Sequence, residues 1–154
     1  MTTTTKLEPI FKSLTVARGL EETFSFYTAQ LDKWWPKLTH SIGQEKADTV
    51  TMECKLGGKI YETQTDGTEV PWGEILEWDA PNRLVHSWHV GRGAEEATEV
   101  EITFKDAGNG QTLVELTHRN WENLGEVAEI LHGQYGPGWD HVFGKCFGDG
   151  VKAS

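Results

Sequence analysis

Tyr135-Gly-Pro-Gly-Trp-Asp-His-Val-Phe-Gly-Lys-Cys-Phe147 is the stretch whose reading decides the fold. Within it Trp139, Val142, Phe143, Cys146 and Phe147 fall at i, i+3, i+4, i+7 and i+8, the spacing that lays one apolar stripe along a helix. Pro137 and Gly138 stand where a missing amide and a loose backbone do least harm, at a helix start, so the spacing predicts a closing helix from about residue 136. Six or seven short segments ahead of it read as strands. A curled antiparallel sheet must close on something apolar, and this helix is the late element able to serve. The expected class is α+β, a curved antiparallel sheet wrapped around a long C-terminal helix. Such an arrangement leaves a cavity between sheet and helix, where small molecules bind.

Working outward, Ile10–Val16 reads as a first strand with Ile10, Leu14 and Val16 on one face. Leu20, Phe24, Tyr27, Leu31 and Trp34 recur at steps of four and three and predict a helix over 20–34 that Pro36 stops. Val50–Leu56 and Lys59–Gln64 read as a strand pair joined by Gly57-Gly58, a two-residue hairpin signal. Glu69–Trp78, Arg83–Val90, Thr98–Lys105 and Thr112–His118 follow, with turn residues between them. Val100, Ile102 and Phe104 share one face, as do Val114, Leu116 and His118. Leu124–His132 reads as a short separate helix, either a lid or a connector. No repeat or linker divides the chain, so 1–154 is read as one domain with its core over about 10–148.

Composition narrows function. The formal charge of −10 argues against nucleic acid and anionic membranes, which need a basic face. No apolar run approaches the roughly 18 residues of a membrane span. The opening Met1-Thr-Thr-Thr-Thr-Lys6 lacks an apolar signal region, so a cytoplasmic location is expected. Cys54 and Cys146, the only cysteines, are then expected to be reduced and buried as small apolar groups. The histidines show no HxxxH, HExxH or Cys/His spacing suited to zinc, and no phosphate-binding or nucleophile-elbow motif occurs. Neither metal nor cofactor is expected.

Trp34-Trp-Pro36, His40-Ser-Ile-Gly43, Gly57-Gly-Lys-Ile-Tyr-Glu62, Asp66-Gly67, Trp72-Gly73, Pro81-Asn-Arg-Leu84, Trp88, Thr98-Glu-Val-Glu101, His118-Arg119, Trp121 and Gly138-Trp139 form an ordered set. Together they resemble the START-like (SRPBCC) superfamily, specifically bacterial single-domain homologues of the heat-shock-protein-90 ATPase activator. The resemblance covers about residues 10–148 and implies the helix-grip fold with a hydrophobic cavity. It supplies no catalytic residue, because the superfamily includes carriers, receptors, cyclases and co-chaperones. Gly19 departs from the family pattern at the first helix. Gly144 and Gly148 dilute the closing helix and predict a shorter or looser one.

Against this background several side chains stand out as cavity candidates. Of the aromatic set Trp34, Trp35, Tyr61, Trp72, Trp88, Trp121 and Trp139, the better ones are Trp72, Trp88 and Trp139, with Phe143 on the same helix stripe as Trp139. Glu62 and Glu74 flank the Asp66-Gly67 turn and read either as an acid–base pair in an apolar pocket or as a solvent-facing pair. His118 ends an inward-reading face, as a polar cavity group or a hydrogen-bonded core residue; His86 repeats the argument more weakly. The sequence therefore reads as a domain that holds a small apolar or amphipathic ligand between sheet and helix. A cyclase- or hydrolase-type enzyme using Glu62, Glu74 or His118 is one alternative, and an interaction protein regulating a chaperone ATPase is another. A homodimer stays open.

Overall fold

The computed structural model describes residues 7–153. Its frame is one seven-stranded antiparallel sheet in the order β1-β7-β6-β5-β4-β3-β2. The strands are β1 (Ile10–Val16), β2 (Ala47–Met52), β3 (Lys59–Gln64), β4 (Glu69–Asp79), β5 (Arg83–Trp88), β6 (Thr98–Gly108) and β7 (Gln111–Arg119). Alternation makes the inner face: Val100, Ile102 and Phe104 of β6 register with His118, Leu116 and Val114 of β7, and all are buried. The Met1–Lys6 segment read as non-signal lies outside the described residues.

The early helix is interrupted. It forms α1 (Leu20–Tyr27) and α2 (Leu31–Trp34), with a break at Thr28–Gln30. Thr28 donates its hydroxyl to the Phe24 carbonyl at 2.8 Å, competing with the backbone ladder as threonines do. The Trp34 indole then takes up the freed Phe26 carbonyl at 3.0 Å. The hydrophobic stripe survives because Phe24, Tyr27, Leu31 and Trp34 are all buried despite the break.

The closing helix departs from expectation in length and in pitch. It runs continuously through α3 (Ala128–Trp139), a π-helical stretch (Asp140–Phe147) and α4 (Gly148–Ala153), preceded by a 3₁₀ turn at Trp121–Val127. Leu124–His132 is thus not a separate helix, and Pro137 sits inside α3 instead of opening it. Gly144 and Gly148 do not shorten the helix, because tertiary burial of Trp139, Phe143, Phe147 and Val151 outweighs their low propensity. Arg18 anchors the far end, donating from Nε to the Val151 carbonyl at 3.1 Å, where a cation suits the helix dipole.

The thiols need correction. Cys54 is exposed, because β2 ends at Met52 and the chain crosses to β3 by a longer connection than a two-residue hairpin. Cys146 is only half-buried: it packs against the edge of the core, and its Sγ lies 3.6 Å from Nε2 of His141, five residues back. Both are free, as expected. No helix among the described residues is long and apolar enough to cross a membrane.

Candidate functional site

At one end of the interface between sheet and closing helix the packing opens into a pocket of about 330 Å³. Trp88 and Val90 line it from the end of β5, and Leu131, Tyr135, Trp139 and Val142 line it from the closing helix. Trp35, His40 and Ser41 close the third side from the loop after α2, with Gln134 adding a polar edge. The rings touch one another: Trp88 and Trp139 have centroids 6.0 Å apart, and Trp35 meets Trp88 at 5.7 Å. Trp88 and Trp139 therefore pack together along the wall and do not face each other across a void.

Every indole N–H in this wall is already committed. Trp35 donates to the His40 carbonyl at 2.8 Å, Trp88 to the Tyr135 hydroxyl at 3.1 Å, and Trp139 to His118 Nδ1 at 3.0 Å. An indole only donates, so His118 Nδ1 must accept and its proton sits on Nε2. Nε2 lies 2.6 Å from Thr98 Oγ1, which in turn donates to the Trp88 carbonyl at 3.2 Å. His118 is fully buried, and burial lowers its pKa to about 3, with His86 and His132 adding to the shift. It is a neutral strut that orients Trp139, with both ring nitrogens used.

The remaining expected residues lie elsewhere. Trp72 is buried behind the wall, against Trp35 at 5.2 Å and Trp88 at 5.6 Å. Phe143 stacks on Phe147 at 5.7 Å in the core. His86 is buried, its pKa lowered to about 4 by burial, and its Nδ1 lies 2.9 Å from the Ser87 carbonyl. It borders only a void of about 10 Å³.

Glu62 and Glu74 do not form a pair. A bulge skips Trp72 in the β3–β4 register, so Ile60 pairs with Gly73 and Tyr61 with Pro71. That extra residue reverses the facing of the strand beyond it and turns Glu74 outward, to an ion pair with Lys59. Glu62 is fully buried and is a clasp: its carboxylate oxygens accept the Ile42 and Gly43 amides, each at 2.7 Å, and Gln64 Nε2 adds a bond at 3.1 Å. A Cβ at Gly43 would lie 2.8 Å from Gln64 Nε2 and 2.9 Å from the Glu62 carboxylate, so the close approach favours glycine there. The clasp fixes the loop that carries His40 and Ser41 to the pocket.

Tyr135, Leu131, Gln134, His40 and Ser41 were not among the expected site residues, and Trp35 stood in the aromatic set without being one of its favoured members. Leu131, Tyr135, Trp139 and Val142 stand at helical steps of four, four and three. That signal becomes legible once the helix is begun at Ala128. Among the described residues no group of His, Cys, Asp and Glu is arranged to hold a metal ion.

A family model described as activator of Hsp90 ATPase homolog 1-like protein matches residues 18–145. The chain belongs to this family. Membership places it in the START-like SRPBCC superfamily, whose helix-grip fold the sheet and closing helix reproduce. No curated protein matches the chain. Among solved structures, an anthrahydroquino-γ-pyrone synthase, Txn09, seen in a complex, is 31% identical. That match covers 94% of this chain and 97% of that one, with a TM-score of 0.64. CalC of Micromonospora echinospora, a self-sacrificing resistance protein, is 22% identical over 95% of each chain with a TM-score of 0.68. CalU16 of the same organism is 19% identical, covering 91% of this chain and 71% of that one, with a TM-score of 0.62. The latter two likenesses speak to the fold alone.

Proposed function

We propose that this START-like domain binds a small amphipathic molecule built on fused aromatic rings, in the pocket between β5, the closing helix and the loop after α2. The observation that carries this reading is the satisfied aromatic wall. With the N–H groups of Trp35, Trp88 and Trp139 bonded within the protein, these three indoles offer the pocket their ring faces and edges with no free donor of their own. A volume of about 330 Å³ lies at the lower end for ligand pockets and suits a compact ring system better than a long acyl chain. The 31% identity to a synthase of an anthrahydroquino-γ-pyrone, over nearly the whole chain, supports the same class of ligand. Acid–base chemistry by Glu62, Glu74 or His118 finds no support: the first and last have their polar atoms engaged, and Glu74 faces outward.

The test is titration with 1,8-dihydroxyanthraquinone and, separately, palmitate, followed by tryptophan emission. The quinone should give a saturable change and palmitate a weaker one. Leu131→Trp, which fills the pocket with a larger ring, should abolish the quinone response. Trp139→Ala should weaken it by roughly tenfold or more, as loss of a central aromatic anchor does. No saturable response to either probe, or one untouched by Leu131→Trp, would refute the reading.

A further inference from the structure

Beside the aromatic pocket lies a second, smaller cavity of about 90 Å³. Trp88, Val90, Leu131 and Tyr135 border both, so the two spaces adjoin across these side chains. The smaller one continues to His89, Arg92 and Thr98. Arg92 is the permanently charged side chain in its lining, and the aromatic pocket has none.

The donors in this corner are unevenly used. Arg92 reaches Glu96 through Nη2 at 3.2 Å, while its Nε is buried without a partner. A buried guanidinium N–H lacking an acceptor is destabilising, so such an atom calls for an explanation. Tyr135 accepts the Trp88 indole N–H, and its own hydroxyl proton has no acceptor among the hydrogen bonds of the described residues. Burial raises the Tyr135 pKa, while the Trp88 bond and the nearby Arg92 charge act against that rise. The phenol therefore stays protonated at neutral pH and able to donate. The backbone beneath Arg92 is fixed twice: the Arg92 amide donates to the His89 carbonyl at 2.8 Å, and His89 Nδ1 lies 3.1 Å from the Arg92 carbonyl. The cation is thus held at the cavity by a closed turn and is not left on a loose loop.

We infer that this side cavity is an anion subsite in which Arg92 and the Tyr135 hydroxyl hold a carboxylate carried by the aromatic ligand. The inference rests on the aromatic-ligand reading above and sharpens it to ring systems bearing an acid group. The space is large enough for a carboxylate. In a chain of formal charge −10, such a subsite supplies the local cation that an anionic ligand needs. Glu96 acts as the resident competitor for the same guanidinium.

The experiment compares anthraquinone-2-carboxylate with anthraquinone-2-carboxamide, probes alike in shape and different in charge, by isothermal titration at neutral pH. The acid should bind about tenfold tighter, the scale of a charge-assisted hydrogen bond. Arg92→Gln should erase that preference, Arg92→Lys should keep part of it as a point charge, and Glu96→Gln should enlarge it. Circular dichroism melts of each variant show that it is folded. Equal affinities in the native protein, with the amide still bound, would overturn the subsite and leave the aromatic pocket standing. A preference that survives Arg92→Gln would likewise overturn it. If neither probe binds, the aromatic reading fails and the subsite falls with it.

Discussion

The interface between sheet and closing helix has two halves built from the same kind of residue, one filled and one hollow. In the filled half Phe147 lies against Tyr27 at 5.1 Å and Trp34 at 5.2 Å, and Phe24 meets Phe104 edge-on at 5.0 Å. Phe24, Phe104 and Phe147 have no donor and no directional demand, so they close on Tyr27 and on Trp34, whose indole is tied to the Phe26 backbone carbonyl, until the space is gone. In the hollow half Trp35, Trp88 and Trp139 each aim an indole N–H at a particular acceptor, the Tyr135 hydroxyl being the one that takes Trp88. Those bonds fix the rings sideways and prevent their collapse into the gap. The difference teaches that a cavity here is maintained by hydrogen bonds within its wall.

Phe147→Ala offers the strongest way to break this comparison. It should lower unfolding free energy by about 3–5 kcal/mol, measured by urea denaturation, because a fully buried ring leaves a cavity behind. The folded fraction should still bind the quinone. If Phe147→Ala weakens binding as much as Trp139→Ala does, the halves are not independent.

Acid should strain the buried histidines on the hollow half's side of the sheet. In the unfolded chain both His118 and His86 titrate near ~6.5, while burial holds the folded values at about 3 and about 4. Below the unfolded value the unfolded chain takes up protons that the folded one refuses. Stability present at neutral pH is therefore lost as pH falls toward the folded values, by up to ~1.4 kcal/mol per pH unit for each ring. His118→Gln should remove its share and flatten the profile between pH 6.5 and 4, read from urea midpoints. An unchanged slope would mean that His118 already charges in the native state.

The smallest effects separate two carboxylates that look alike in sequence. Glu62→Gln should cost about 1–3 kcal/mol, because it loses a charged acceptor for buried amides, and should speed hydrogen exchange at Ile42 and Gly43. Glu74→Gln should change stability by no more than about 0.5 kcal/mol, as expected for an exposed ion pair. Equal effects would show that the loop is held by something other than the clasp.

What the chain reveals in advance follows the same division. Strand alternation at Val100, Ile102 and Phe104 and at Val114, Leu116 and His118 gives the inner face directly, since period two survives wherever no bulge intervenes. Glu74 was illegible because the bulge at Trp72 reverses parity: Pro71 beside it signals an edge or a bulge in Glu69–Trp78, but not which residue goes unpaired. Tyr135 and Leu131 were hidden by Pro137, whose usual place at a helix start masks a helix already under way. The Glu62 clasp joins residues nineteen and twenty positions apart through backbone amides, which carry no side-chain signature.

The clasp also makes the rim of the pocket an interchangeable part. Glu62 asks the loop for two consecutive amides and a residue without Cβ at the second, while Leu38 and Ile42 beside it stand exposed and unconstrained by the core. A duplicated gene could acquire a rim of different length or character without passing through an unfolded ancestor. Ligand preference in such a lineage would diverge at the gate while the sheet and closing helix stayed under the older selection for folding.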